Sequence, residues 1–138
     1  MTFVPLTYLA VLLAAVASFA VGSLWYGLLG KAWMQALDWS AAEIAANAKP
    51  RAGPLLTSFL AELLMAFVLR GVLGHLGPGQ ATLRNGMISG LFIWGGFVVT
   101  TLVVNNAYAR RKVMLAVIDA GHWLAVLLVQ GAIIGAMG

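Results

Sequence analysis

The chain has 138 residues, 62% of them hydrophobic and 9% charged, with a net charge of +4 and no cysteine. A soluble domain is about half apolar and about a quarter charged, so too little charge remains here to solvate a surface, and a water-soluble fold is excluded. The missing cysteines exclude disulfides, thiolate metal sites and thiol nucleophiles. The positive charge is what a multi-span protein needs to set its topology, so it does not indicate nucleic-acid binding.

Four apolar stretches succeed one another, over residues 3–29, 54–76, 83–108 and 113–137. Each reaches the length of about 20 residues that crosses a bilayer core. The first opens near Pro5, where proline fits a first helical turn. It has no Lys or Arg before it and is too long for a typical leader, so it reads as a retained span. It ends at Gly27-Leu28-Leu29-Gly30-Lys31. The longest connection, from Lys31 to Gly53, carries Trp33 and Trp39, residues that favour the headgroup level. Within it, Ser40-Ala41-Ala42-Glu43 fits a capping box, which predicts a short interfacial helix over residues 41–48. Pro50 and Pro54 bracket the entry into the second span. That span stops at Gly74-His75-Leu76-Gly77-Pro78-Gly79, a turn signal, and His75 reads as a solvated loop residue. The third span closes at Asn105-Asn106 and Arg110-Arg111-Lys112, and the fourth begins at once.

These elements predict an all-α membrane protein, a single transmembrane domain over residues 1–138. Its four helices form an up-down-up-down bundle, since short connections favour that order. One end carries Lys31, Lys49, Arg51, Arg110, Arg111 and Lys112, against Arg70 and Arg84 at the other. The positive-inside rule places the basic end in the cytoplasm and both termini outside.

A rise of about 1.5 Å per residue then gives depth from the basic end: about 12 Å for Glu62, 9 Å for Asp119 and 13 Å for His122. Thr101 and Asn105 fall within about 5–12 Å of the same side, with Trp25 and Tyr26 nearer still. Asp119, His122, Val126 and Gln130 share one helical face, and Trp94, Val98, Thr101 and Asn105 share another. The expected site is one inner-leaflet layer of Glu62, Asp119, His122, Asn105, Thr101, Tyr26 and Trp25. A second level of Arg70 and Gln130 is expected further out.

Carboxylates facing lipid cost about 2.5–3.5 kcal/mol on insertion scales, so Glu62 and Asp119 should point inward. Protonation, pairing with His122 as imidazolium, or donors such as Asn105 and Tyr26 would each satisfy them. Such groups also serve simply as interhelical glue, worth about 0.6 kcal/mol each. The small pairs Gly86/Gly90, Gly131/Gly135 and Ser18/Gly22 allow close helix approach and leave homo-oligomerisation open.

The motifs of zincins, P-loops, redox CxxC sites and serine hydrolases are absent. No cofactor is expected and no metal, because nothing in the spacing of Glu62, Asp119 and His122 demands one. Three functions remain. One is a transporter or channel using the carboxylate/histidine layer for a proton, ion or small molecule. Another is a structural or accessory subunit, and the third a membrane enzyme or binder of an amphipathic molecule. The expected partner in every case is the lipid bilayer.

Gly22-Ser23-Leu24-Trp25-Tyr26, Gly30-Lys31-Ala32-Trp33-Met34, Val104-Asn105 with its basic turn, and Ile118-Asp119-Ala120-Gly121-His122 together resemble a family of small bacterial membrane proteins. It is the domain-of-unknown-function family seventeen sixty-one. The resemblance covers nearly the whole chain, with Gly-x-x-Trp-Tyr and Gly-Lys-x-Trp its most specific elements. It implies a four-span protein of the bacterial cytoplasmic membrane and transfers no catalytic residue.

Overall fold

The structure, a computed structural model, describes residues 4–138. Its elements are α1 (Val4–Ala36), α2 (Ala41–Ala46), α3 (Ala52–His75), α4 (Leu83–Ile93), a π-helical turn (Trp94–Val98), α5 (Val99–Tyr108) and α6 (Val113–Met137). Among the described residues there is no strand. Four helical segments are long and apolar enough to cross a membrane: Thr7–Ala36, Ala52–His75, Leu83–Tyr108 and Val113–Met137. Large side chains such as Leu28, Leu64, Phe92 and Phe97 point outward. Water would penalise that surface, whereas lipid tails are as apolar as the side chains themselves. The protein is an integral membrane protein.

The expected start of the first span, Phe3, lies outside the described residues. Its end differs from expectation. α1 continues past Leu29 to Ala36, because Gly27 and Gly30 remain helical. The chain turns only at Asp38, which adopts φ 61, a left-handed conformation that Asp tolerates better than most residues. The capping box at α2 is present. The Glu43 amide donates to Ser40 Oγ at 3.2 Å, and the Ser40 amide donates to Glu43 Oε2 at 2.6 Å. The helix ends two residues before the expected Ala48, because Asn47 folds back and donates to the Glu43 carbonyl at 2.8 Å. α3 starts at Ala52, which puts Pro54 within its first turn, where no amide donor is required. It stops at His75, ahead of Gly77 and Gly79 with φ 106 and 73.

α6 is the central helix. It packs against α1, α3, α4 and α5, while α1 also packs on α3 and makes no contact with α4 or α5. The third span reaches the bundle through glycine. A Cβ at Gly86 would lie 1.9 Å from the Gly131 carbonyl oxygen, and one at Gly131 would lie 2.1 Å from that of Gly86. Gly90 abuts the Leu127 carbonyl and Gly135 the Thr82 carbonyl in the same way. Backbone meets backbone along the whole crossing, as small residues permit in lipid. These pairs are therefore occupied within the chain and carry no argument for a second copy.

Away from the basic end, Val11 and Ala14 of α1, Ala66, Leu69 and Leu73 of α3 and Ile134 of α6 form a buried apolar cluster. It closes that half of the space between the three helices. Polar side chains gather in the other half.

Candidate functional site: a two-level polar layer around α6

The lower level, nearer the basic end, is built by α1 and α6. The Tyr26 hydroxyl donates to Asp119 Oδ1 at 2.6 Å. The Trp33 indole N–H approaches the same carboxyl group without completing a hydrogen bond. The Trp25 indole donates to the Ile118 carbonyl at 3.1 Å, and its ring lies over Gly121, where a Cβ would be 2.7 Å away. From the opposite side of α6, the Trp94 indole donates to the Ala120 carbonyl at 2.7 Å. Two indoles thus grip α6 on either side of Asp119. The second turn of a helix has no free carbonyls, so these bonds are shared with the helix's own ladder.

His122 is 6% exposed. Its imidazole rests on Gly22, which has no side chain to displace it. The rings of Tyr26 and Trp123 flank it, with centroids at 4.8 and 4.5 Å. Tyr26 in turn contacts Trp33 at 6.0 Å, and Trp33 contacts Trp39 at 5.8 Å. An unbroken series of rings therefore runs from the loop before α2 to His122.

The upper level lies about two helical turns further from the basic end, roughly 12 Å from Tyr26 to Ser18 along α1. It consists of Ser18, Glu62 and Gln130, each at most 2% exposed. Gln130 Nε2 donates to Ser18 Oγ at 3.0 Å and to the Glu62 backbone carbonyl at 2.9 Å. Ser18 Oγ donates to the Ala15 carbonyl at 3.1 Å. Three buried polar atoms at these levels have no partner: Glu62 Oε1, Gln130 Oε1 and His122 Nδ1.

Not all the expected site residues meet. Asp119, His122, Tyr26 and Trp25 lie together at the lower level. Glu62 lies above them, bonded through its backbone to Gln130. Gln130 does not meet Arg70, whose guanidinium stays near Gly74 on its own helix. Thr101 and Asn105 are exposed on α5, and the Thr101 hydroxyl donates to its own helix at the Phe97 carbonyl. The π turn accounts for their position. Its wider ring absorbs an extra residue, which rotates the downstream side chains by roughly 100° about the axis. Trp94 faces α6, but beyond the turn Leu102 and Asn106 are the half-buried positions. Adjacent Gly95 and Gly96 are the sequence signal for that irregularity. Ser18 and Gly22 carry a signal as a small-residue pair, but spacing alone does not show their use against Gln130 and His122.

Among the described residues, no group of three His, Asp or Glu side chains could hold a metal ion. An apolar groove of about 400 Å³ on the outer surface of α1 and α3, lined by Tyr8, Leu12, Leu60, Leu64 and Phe67, includes no residue of the polar layer.

The family model described as "Protein of unknown function (DUF1761)" matches residues 9–135, so it covers both polar levels and nearly all of the four spans. No curated protein and no solved structure matches the chain.

Proposed function

The chain belongs to the DUF1761 family, whose description leaves activity to be read from the molecule itself, and we propose that it is a small transporter that takes up a proton or small cation on the polar layer. One observation carries this reading. Glu62 Oε1, Gln130 Oε1 and His122 Nδ1 are buried on adjacent helices and lack hydrogen-bond partners. An unsatisfied buried polar group costs about 1–3 kcal/mol. Polar groups that served only as interhelical glue would be satisfied by one another. Ionisable groups inside a membrane are characteristic of ion and proton pathways.

The steps along the path are Asp119 with Tyr26, then His122, then Glu62. The ring series from Trp39 to His122 borders the route from the basic end, and the excess of loop Lys and Arg there supports reading that end as cytoplasmic, with both termini outside. The apolar cluster of Val11, Ala14, Ala66, Leu69, Leu73 and Ile134 stands beyond Glu62. It favours a carrier that must rearrange to release its cargo over a continuously open channel.

The experiment is proton flux into liposomes that hold the purified protein and a trapped pH dye. Glu62→Gln and Asp119→Asn are each expected to reduce flux at least tenfold. Flux equal to wild type in both variants would sink the proposal.

A second reading, an accessory subunit of a membrane complex, draws on one feature. Thr101 and Asn105 face outward from α5, a helix that packs only on α6 and the π turn. Partner recovery after cross-linking at position 105 would support it, and recovery of lipid alone would count against it.

A further inference from the structure

The upper level has a shortage of donors that can be counted. The Ser18 hydroxyl has one hydrogen, which can go to the Ala15 carbonyl or to the neighbouring Glu62 carboxyl group but not to both. The Gln130 amide has two, one directed to Ser18 and the other to the Glu62 backbone. With Glu62 ionised, no further side-chain donor belongs to these three residues. Glu62 Oε1 and Gln130 Oε1 nevertheless remain, both buried and both unpartnered. The lower level adds a third unpartnered buried atom, His122 Nδ1. Beyond Glu62 lie Ala14, Ala66 and Leu69, which can donate nothing.

We propose that Ser18, Glu62 and Gln130 form a binding site for a hydrogen-bond-donating monovalent cation, either a proton held on Glu62 or an ammonium group. The charge follows from the single carboxylate, since a buried ion needs a counter-charge. Donor character follows from the count, because every free group in the site is an acceptor. Divalent Mg²⁺ and Ca²⁺ seek about six to eight oxygens, more than the site offers. Gln130 is then the residue that holds the amide oxygen ready, with its two N–H groups already committed to Ser18 and α3.

The inference deepens the transport reading and rests on it for its use. Its test requires no vesicle. The full chain in detergent is titrated with methylammonium, tetramethylammonium or sodium chloride at constant ionic strength, and the unfolding temperature is followed. Infrared spectra record whether a carboxylic-acid band disappears in Glu62→Gln.

A shift with methylammonium alone, lost in Glu62→Gln, identifies an ammonium-class occupant. An acid band assigned to Glu62 without a methylammonium shift identifies the proton. Gln130→Leu provides a second variant in case Glu62→Gln does not fold. It should weaken methylammonium binding by roughly tenfold to a hundredfold, the worth of one hydrogen bond to a charged group, or move the acid band to higher frequency. Equal shifts with sodium and methylammonium overturn the proposal, as does the absence of both the shift and the band. Intact binding without flux overturns only the transport reading.

Discussion

Gly22 on α1 lies directly against the imidazole of His122 on α6, and a Cβ at position 22 would stand 2.6 Å from Nε2. The small-residue pair Ser18/Gly22 therefore serves the polar layer and not an approach between two chains. One turn apart on α1, Ser18 supports Gln130 and Gly22 seats His122. Close packing and polar chemistry come from the same stretch of sequence.

Gly22→Ala is expected to destabilise the protein by about 1–3 kcal/mol, the usual cost of overpacking. The ring has little freedom to swing, because Tyr26 and Trp123 flank it. His122→Ala combined with Gly22→Ala should recover much of that loss, since the added methyl then has space. Unfolding in mixed micelles measures both variants. A double variant no more stable than Gly22→Ala would mean that the ring is not what the methyl meets.

The α4–α6 crossing offers a harsher case. A Cβ at Gly131 would fall 2.1 Å from the Gly86 carbonyl oxygen, which is backbone and cannot turn aside. Gly131→Ala should force the third span away from α6, at a cost at or above the upper end of the about 1–3 kcal/mol range. Gly71→Ala on α3 is the control, because nothing lies within 4 Å of its Cβ position. Alanine is also the better helix former by up to about 1 kcal/mol, so that variant should be neutral or slightly stabilising.

The phase slip at the π turn predicts a contrast on the third span. Thr101→Val removes a hydroxyl that is bonded only to its own helix, and surface changes of this kind usually stay within about 0.5 kcal/mol. Trp94→Phe keeps most of the ring but removes the donor to the Ala120 carbonyl, at about 0.5–1.5 kcal/mol. Thermal denaturation of the two side by side checks this. A costly Thr101→Val with a silent Trp94→Phe would place the inward face where uninterrupted helical periodicity puts it.

Composition and length are enough to read the four spans, because bilayer thickness sets a coarse requirement that any long apolar helix meets. Asp119, His122 and Tyr26 are legible as neighbours because they lie near the same end of adjacent antiparallel helices. Three things are not legible. Gly27 and Gly30 read as a stop, but the ladder continues through them to Ala36. Thr101 and Asn105 are placed by a period of 3.6 residues that the π turn breaks. The pairing of Glu62 with Gln130 is hidden by counting depth from the loops. By that count Gln130 lies about 25 Å from Val113 and Glu62 about 12 Å from Pro54, yet they bond. The helices are not flush at their ends, and a long side chain on a helix leans back toward its N-terminus.

The Tyr26–Asp119 bond is the shortest polar contact between spans, at 2.6 Å, and it can be isolated by a double-mutant cycle. Tyr26→Phe removes the donor and keeps the ring between Trp33 and His122. If Asp119 carries its charge there, the loss is about 1.5–3 kcal/mol, the range for a hydrogen bond to a charged group. Asp119→Asn retains an acceptor for the hydroxyl but no charge. In that background Tyr26→Phe should cost only about 0.5–1.5 kcal/mol. The difference is the coupling energy, within the range of about 0.5–3 kcal/mol measured for residues in direct contact. Unfolding equilibria of the four proteins give it directly. If Tyr26→Phe costs the same in both backgrounds, the hydroxyl holds a neutral group, and the lower level contributes no charge to the path from the basic end to Glu62.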